Sequence, residues 1–151
     1  MPPNAGTGYM DVALAEAEAA VAREEVPVGA VIVLDGQIIA RAGNRTRELS
    51  DPTAHAELLA IRAACAAGGS ERLPDADLYV TLEPCPMCAA AISFARIRRL
   101  YYGALDPKGG GVEHGPRIFS QPSCHHAPEL YGGIEELRSA ELLRAFFAAR
   151  R

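Results

Sequence analysis

The sequence predicts an α/β fold, a mixed sheet with helices on both faces. Two observations carry that expectation. Short apolar runs rich in β-branched and aromatic residues, VGAVIVL, LYVTL and RRLYYGA, are separated by segments whose apolar residues return at helical spacing. The first run is followed by QIIARAGN across Asp35-Gly36, a dipeptide that tolerates the positive φ angles of a tight hairpin turn.

Met10, Leu14, Ala17 and Val21 share a helical face and predict a first helix. EEVP ends it, because proline disfavours helical geometry at the residue before it. The hairpin over 28–44 follows. A second helix is predicted from about Ala54 to Ala67, stopped by Gly68-Gly69. LYVTL is then a buried strand, CAAAISFA a third helix and RRLYYGA another strand. From Asp106 to Gly133 the chain is rich in Gly, Pro and His and reads as irregular. The last segment, 134–151, is helical: Leu137, Ala140, Leu143 and Phe147 share one face, and Glu135 and Glu136 sit where the helix dipole favours acids. No repeat, linker or low-complexity tract interrupts this order, so residues 1–151 read as one domain.

At 151 residues, 49% hydrophobic and 23% charged, the chain can bury a sizeable core. Its N-terminus has no basic stretch feeding an apolar run, and Asp11, Glu16 and Glu18 interrupt the first hydrophobic segment. No apolar run is long enough to span a bilayer. The expectation is a cytoplasmic protein with no membrane partner, where a close cysteine pair binds metal or does chemistry more often than it forms a structural disulfide. The net charge of −4 argues against a broad nucleic-acid surface, because phosphate binding needs positive potential. Lys108 is the single lysine, and the arginines gather at 41–47, 96–99 and 144–151. Taken alone, each of these clusters reads as solvated surface.

Cys85 and Cys88 stand three apart in EPCPMC. By itself such a pair fits a thiol redox centre, half of a structural zinc cage or part of a catalytic metal site. His55 and Glu57, in TAHAELLAI, decide among these. The order His-x-Glu, strand, Pro-Cys-x-x-Cys can bring two helix N-termini side by side at one sheet edge. Residues two apart on a helix point about 200° apart around its axis, so His55 and Glu57 converge only on something beyond the helix end. A zinc ion there is reached by the His55 imidazole and by the neighbouring thiolates of Cys85 and Cys88. Pro86 suits the first turn of its helix, where a missing N–H costs nothing. With one zinc per chain, three protein ligands leave the fourth position to water, where a structural site would want a fourth ligand. Glu57, not needed as a ligand, is placed to take the water's proton and pass it to a leaving group. These residues predict a zinc-dependent hydrolase. Cys65, mid-helix among alanines, reads as a buried apolar residue. Cys124-His125-His126 read as surface polar residues in preference to a second metal site.

HAE at 55–57 with PCPMC at 84–88 resembles the H-x-E…P-C-x-x-C signature of the cytidine-deaminase-like zinc deaminases. Within that family, EVPVGAV at 25–31, Gly43-Asn44, DPTAHAE at 51–57 and LYVTLEPCPMC at 78–88 are similar to the bacterial enzymes that deaminate adenosine in tRNA. The similarity runs from about residue 8 to the FF..RR tail at 146–151. The resemblance implies a three-layer α/β/α sandwich around a five-stranded mixed sheet, a homodimer, and conversion of the wobble adenosine of a tRNA anticodon stem-loop to inosine. It also implies that Asn44 hydrogen-bonds the base, that Val28, Ala30 and Leu82 line its pocket, and that Asp106 and Lys108 approach the neighbouring nucleotides. The backbone N–H of Cys85 would steady the developing oxyanion. On the last helix, Phe146, Phe147, Arg150 and Arg151 combine aromatic and guanidinium groups suited to base stacking and phosphate contact. A deaminase of a free base or nucleoside, guanine or cytosine, is the other activity the fold admits.

Overall fold

A computed structural model describes residues 8–150. In chain order these form helix α1 (Tyr9–Ala22), strands β1 (Gly29–Leu34) and β2 (Gln37–Gly43), helix α2 (Ala56–Gly68), strand β3 (Asp77–Leu82), helix α3 (Pro86–Ala95), strands β4 (Arg99–Ala104) and β5 (Glu129–Tyr131), and helix α4 (Glu136–Ala148). The five strands make one sheet in the order β2-β1-β3-β4-β5. β1 is antiparallel to both β2 and β3, whereas β4 is parallel to β3 and to β5. The hairpin closes through Asp35 and Gly36, at φ 51° and 74°, the two consecutive positive angles of a type I′ turn.

Period-two alternation along the strands divides the core into two layers. Ala30, Ile32, Leu78, Val80, Leu100 and Tyr102 pack with residues of α2 and α3. Val31, Val33, Tyr79 and Tyr101 pack with residues of α1, and Leu142 of α4 joins them. The result is a three-layer α/β/α sandwich. Each fully buried aliphatic side chain contributes roughly 1.5–3 kcal/mol, and alanines at 56, 60 and 64 on the inner face of α2 let that helix lie close to the sheet. On the α1 side, the rings of Tyr9, Tyr79, Tyr101 and Tyr131 form a ladder with successive centroids 5.3, 4.3 and 4.9 Å apart.

Three sequence expectations change here. The span 106–133, read as irregular, contains β5 and one 3-10 turn, Ile118–Ser120. Three residues are too few to show an alternating pattern; β5 exists because Glu129, Leu130 and Tyr131 pair with Arg99, Leu100 and Tyr101. Helix α4 turns inward a different face from the one its leucines suggested: Leu137 is 79% and Phe147 48% exposed, while Ser139 and Phe146 are buried. The cause is the close crossing of α4 over β4, where the Ser139 hydroxyl lies 2.6 Å from where a Cβ on Gly103 would stand. Only small residues fit that crossing, and setting Ser139 there rotates Leu137 and Phe147 outward. Cys65 is half-buried, packed against the core without being inside it. Among the described residues, no helix is long and apolar enough to cross a membrane.

Candidate active site

Strand β3, parallel to β4, delivers the chain through Glu83 and Pro84 into Cys85, the N-cap of α3. His55 is the N-cap of α2. Both caps have extended backbones, φ −76°, ψ 152° at His55 and φ −71°, ψ 171° at Cys85, and neither side chain caps its own helix. The imidazole and the thiol are therefore free to reach beyond the helix ends. The sequence pattern put His55 inside the helix; it stands one residue before it. The first helical N–H, that of Ala56, is instead satisfied by Asn44 Oδ1 at 2.8 Å, which supplies from outside the acceptor that an N-cap side chain usually provides.

His55 Nδ1 lies 3.6 Å from Cys85 Sγ and 3.5 Å from Cys88 Sγ. All three donor atoms are within 4.8 Å of one another. Zinc bonds of about 2.0 Å to nitrogen and 2.3 Å to sulfur, at tetrahedral angles, separate donors by roughly 3.5–3.8 Å. The residues present thus fit one zinc ion. Their electrostatics agree. The hydrogen bond from Cys88 draws the Cys85 thiol down to about 4, against the effect of burial and with help from His55. The same contact, together with burial, pushes Cys88 far up, and the Cys85 contact also raises His55. Two sulfurs and an imidazole thus share a tightly coupled proton inventory in which Cys85 is the thiolate, and a cation between them would take the place of the shared protons. Glu57 is 4% exposed, and burial pushes its carboxyl up to about 7. A carboxyl near neutrality can both accept and return a proton.

His55, Glu57 and Cys85 border a cavity of about 250 Å³ whose apolar lining is Val26, Val28 and Leu82 and whose polar lining adds Asn44, Thr46, Glu83 and Asp106. Val28, Leu82, Asn44 and Asp106 all line this cavity. Ala30 lies fully buried in the core and not in the cavity lining. A second cleft of about 470 Å³ adjoins the first, sharing Val26, Leu82 and Asp106 and extending along Leu105, Lys108, Leu143 and Phe147. Phe146 is buried. The Arg150 guanidinium stacks 3.6 Å over its ring and donates to the Phe146 carbonyl at 3.1 Å. Arg151 lies outside the described residues. Among the described residues no acceptor takes the Cys85 N–H. The Cys124-His125-His126 run pins its loop: Cys124 Sγ donates to the His126 carbonyl at 3.1 Å, and His126 Nε2 lies 2.7 Å from the Ile97 carbonyl, which it meets as donor.

Two buried carboxylates beside the site escaped the sequence reading. Glu25 accepts from Thr46 Oγ1 at 3.3 Å, Arg47 N at 3.2 Å and Glu48 N at 2.8 Å, holding the segment that follows Asn44. Glu83 accepts from the N–H groups of Asp106, Val112, Glu113 and His114 at 2.9–3.1 Å, and from His114 Nδ1 at 2.8 Å. Burial raises both carboxyls, but these donors outweigh it and hold both below the usual glutamate range. The signal was present as an acid at either end of the site-forming segments, since acids are almost never fully buried unless paired. The partners are backbone N–H groups, which a sequence does not display. Gly111 completes the junction: its N–H donates to Pro84 O at 2.8 Å, and a Cβ there would stand 2.6 Å from Pro86 N.

Comparison with known proteins follows the same lines. The profile of the cytidine and deoxycytidylate deaminase zinc-binding region matches residues 4–104. The chain is 70% identical over 145 residues to a tRNA-specific adenosine deaminase of Agrobacterium fabrum, covering 96% of this chain and 95% of that one. It is 45% identical to the Bacillus subtilis protein of the same name, covering 92% and 86%. A solved structure from work on A-to-I editing by tRNA:A34 deaminases at the wobble position superposes with a TM-score of 0.88 at 71% identity, covering 89% of this chain and 98% of that one. A guanine deaminase from Bacillus subtilis superposes less closely, at 0.65 and 35% identity, covering 94% and 91%. The five-stranded sheet, the His-Cys-Cys trio and these likenesses together make the chain a member of the zinc-binding cytidine and deoxycytidylate deaminase family, within its group of tRNA-specific adenosine deaminases.

Proposed function

We propose that this protein hydrolytically deaminates the wobble adenosine of a tRNA anticodon stem-loop to inosine, releasing ammonia. The observation that carries the chemistry is the buried Glu57 carboxyl beside the His55-Cys85-Cys88 trio, at a cavity into which Asn44 presents an amide. The names of relatives at 45–70% identity support adenosine in tRNA as the substrate.

His55, Cys85 and Cys88 would hold a zinc ion, which would supply Lewis-acid activation of a water molecule. Glu57 takes one proton from the attacking water and delivers it to the adenine ring nitrogen as the oxygen bonds to C6, then moves the remaining hydroxyl proton to the amino group, so that the C6–N bond breaks and ammonia leaves. The Cys85 N–H, free of any described acceptor, donates to the oxygen as charge develops on it. Asn44 has its Oδ1 committed to Ala56, so Nδ2 is left to donate to the base. Val28 and Leu82 pack the base faces. Asp106, Lys108 and Phe147, along the adjoining cleft, meet the neighbouring nucleotides, by charge and by stacking. Arg150 contributes positive charge just past the end of α4, with Phe146 serving as the platform on which it rests, and Arg151, next in the sequence, carries the same charge.

The protein acts as a homodimer in the cytoplasm, where tRNA is modified. The exposed Phe94 on α3, beside a groove with Ala90, Ile118 and Cys124, supports an apolar interface between copies; sedimentation at micromolar concentration tests it. The activity is tested by incubating zinc-loaded protein with an anticodon stem-loop carrying adenosine at the wobble position, and separately with adenosine, guanine and cytidine, while measuring inosine and ammonia. Rapid turnover of guanine or cytidine with the stem-loop ignored would replace this reading with free-base or nucleoside deamination.

A further inference from the structure

Glu83 is fully buried yet takes no part in the chemistry above. Its side chain has no exposed surface, and its two oxygens accept five hydrogen bonds from a single stretch of chain. Oε1 takes the Asp106 N–H and the His114 ring; Oε2 takes the N–H groups of Val112, Glu113 and His114. That stretch carries Leu105, Asp106, Lys108 and Gly109, which line the cleft beside the base cavity, and Asp106 lines both spaces. Within the stretch, Asp106 closes its own turn, accepting at Oδ1 from Gly109 N at 2.9 Å and at its carbonyl from Gly110 N at 2.8 Å. The turn is thus internally rigid, and its connection to β3 and α3 runs through Glu83 and through the Gly111 to Pro84 bond. Gly110 has no room for a side chain on this contact, since a Cβ there would overlap Glu83 Oε2.

We propose that Glu83 is a positioning residue for substrate: it anchors the 105–114 loop to the end of β3, and so fixes where the base cavity stops and the cleft for the flanking nucleotides begins. This rests on the stem-loop reading of the site. A carboxylate suits the task because it only accepts, and every group it faces donates. An uncompensated buried carboxylate would be strongly destabilising; one with five donors over-determines the loop instead. A rigid loop binds RNA without having to be ordered at the moment of binding.

The decisive variant is Glu83→Gln. The amide oxygen can keep the three N–H groups at the Val112–His114 side, but its NH₂ group then faces the Asp106 N–H, donor against donor. The change is confined to the hinge of the turn. With a wobble-adenosine stem-loop, KM and Kd should rise about tenfold while kcat falls by less than about threefold. Zinc content should stay at one per chain. Amide exchange should accelerate in 105–114 and not in β3. His114→Ala, which removes one ring donor and leaves four N–H groups in place, should move KM and exchange the same way by a smaller factor. If kcat falls with KM unchanged, or if loop exchange matches wild type in both variants, the anchoring role is wrong. A wild-type protein inert toward the stem-loop would instead overturn the substrate reading, and loop exchange in the variants would still judge the anchor.

Discussion

Asn44 Oδ1 accepts the Ala56 N–H at 2.8 Å, so one amide side chain both caps α2 and faces the cavity. A backbone N–H can only donate, which fixes the amide orientation and leaves Nδ2 as the group that can donate elsewhere. Arg23 holds the same residue through its main chain, donating to the Asn44 backbone carbonyl at 3.0 Å.

Asn44→Asp tests this directly. The carboxylate can still cap Ala56, but it offers the base an acceptor where a donor stood. Melting temperature and zinc content should hold, while kcat/KM for the stem-loop falls about a hundredfold or more. Asn44→Ala loses the cap as well and should additionally cost about 1 kcal/mol of stability. An Asp variant with wild-type kcat/KM would remove Asn44 from base recognition.

Metal and proton shuttle separate by mutation. Cys88→Ala should bind no zinc at stoichiometric metal and should show no deamination. Glu57→Gln should retain one zinc per chain, by elemental analysis, with its rate reduced about 10²–10⁴-fold. Chelator treatment of the wild type should abolish activity, and added zinc should restore it. A folded, metal-free Glu57→Gln protein would show that the carboxyl is a ligand.

Glu25 should make the loop after Asn44 sensitive to acid. Its carboxyl is held below its ordinary value of 4.5, because the N–H groups of Glu48 and Arg47 and the Thr46 hydroxyl outweigh burial. A depressed folded-state value means that the stabilisation is fully present above about 4.5 and is lost as pH falls through the lower folded value. Glu25→Gln should therefore be less stable than wild type at pH 7, with the gap closing below pH 4.5. Denaturation midpoints across pH 7 to 3 measure it; a gap independent of pH would refute the linkage.

RNA affinity should divide between charge and stacking. Lys108→Ala should lower the slope of log affinity against log salt by about one, because one phosphate contact is lost. Phe147→Ala should weaken binding by about 1–3 kcal/mol at every salt concentration, leaving the slope unchanged. Salt titrations of stem-loop affinity distinguish them. Equal slopes for wild type and Lys108→Ala would take the lysine out of phosphate contact.

What the sequence disclosed followed from how locally each feature is encoded. The hairpin at Asp35-Gly36, the α3 start at Pro86 and the His55-Cys85-Cys88 trio all rest on neighbours a few residues apart or on the order of elements, and all appear in the structure. β5 did not show itself, because its strand character comes from pairing with Arg99–Tyr101. The inward face of α4 was misread for a similar reason: a serine meeting Gly103 outranks Leu137 and Phe147 only when the crossing is known. Glu25 and Glu83 were visible as acids, but their roles depend on N–H groups more than twenty residues away in the chain.

The tyrosine ladder gives the protein a one-sided optical reporter. The chain has no tryptophan and five tyrosines, and four of them lie together on the α1 side of the sheet, Tyr79, Tyr101 and Tyr131 stacked and Tyr9 tilted against Tyr79. Ultraviolet emission and near-ultraviolet dichroism will therefore register chiefly the peeling of α1 and β5 from that face. Loss of metal on the opposite side will pass almost unseen, so an unchanged spectrum says nothing about whether the enzyme is loaded.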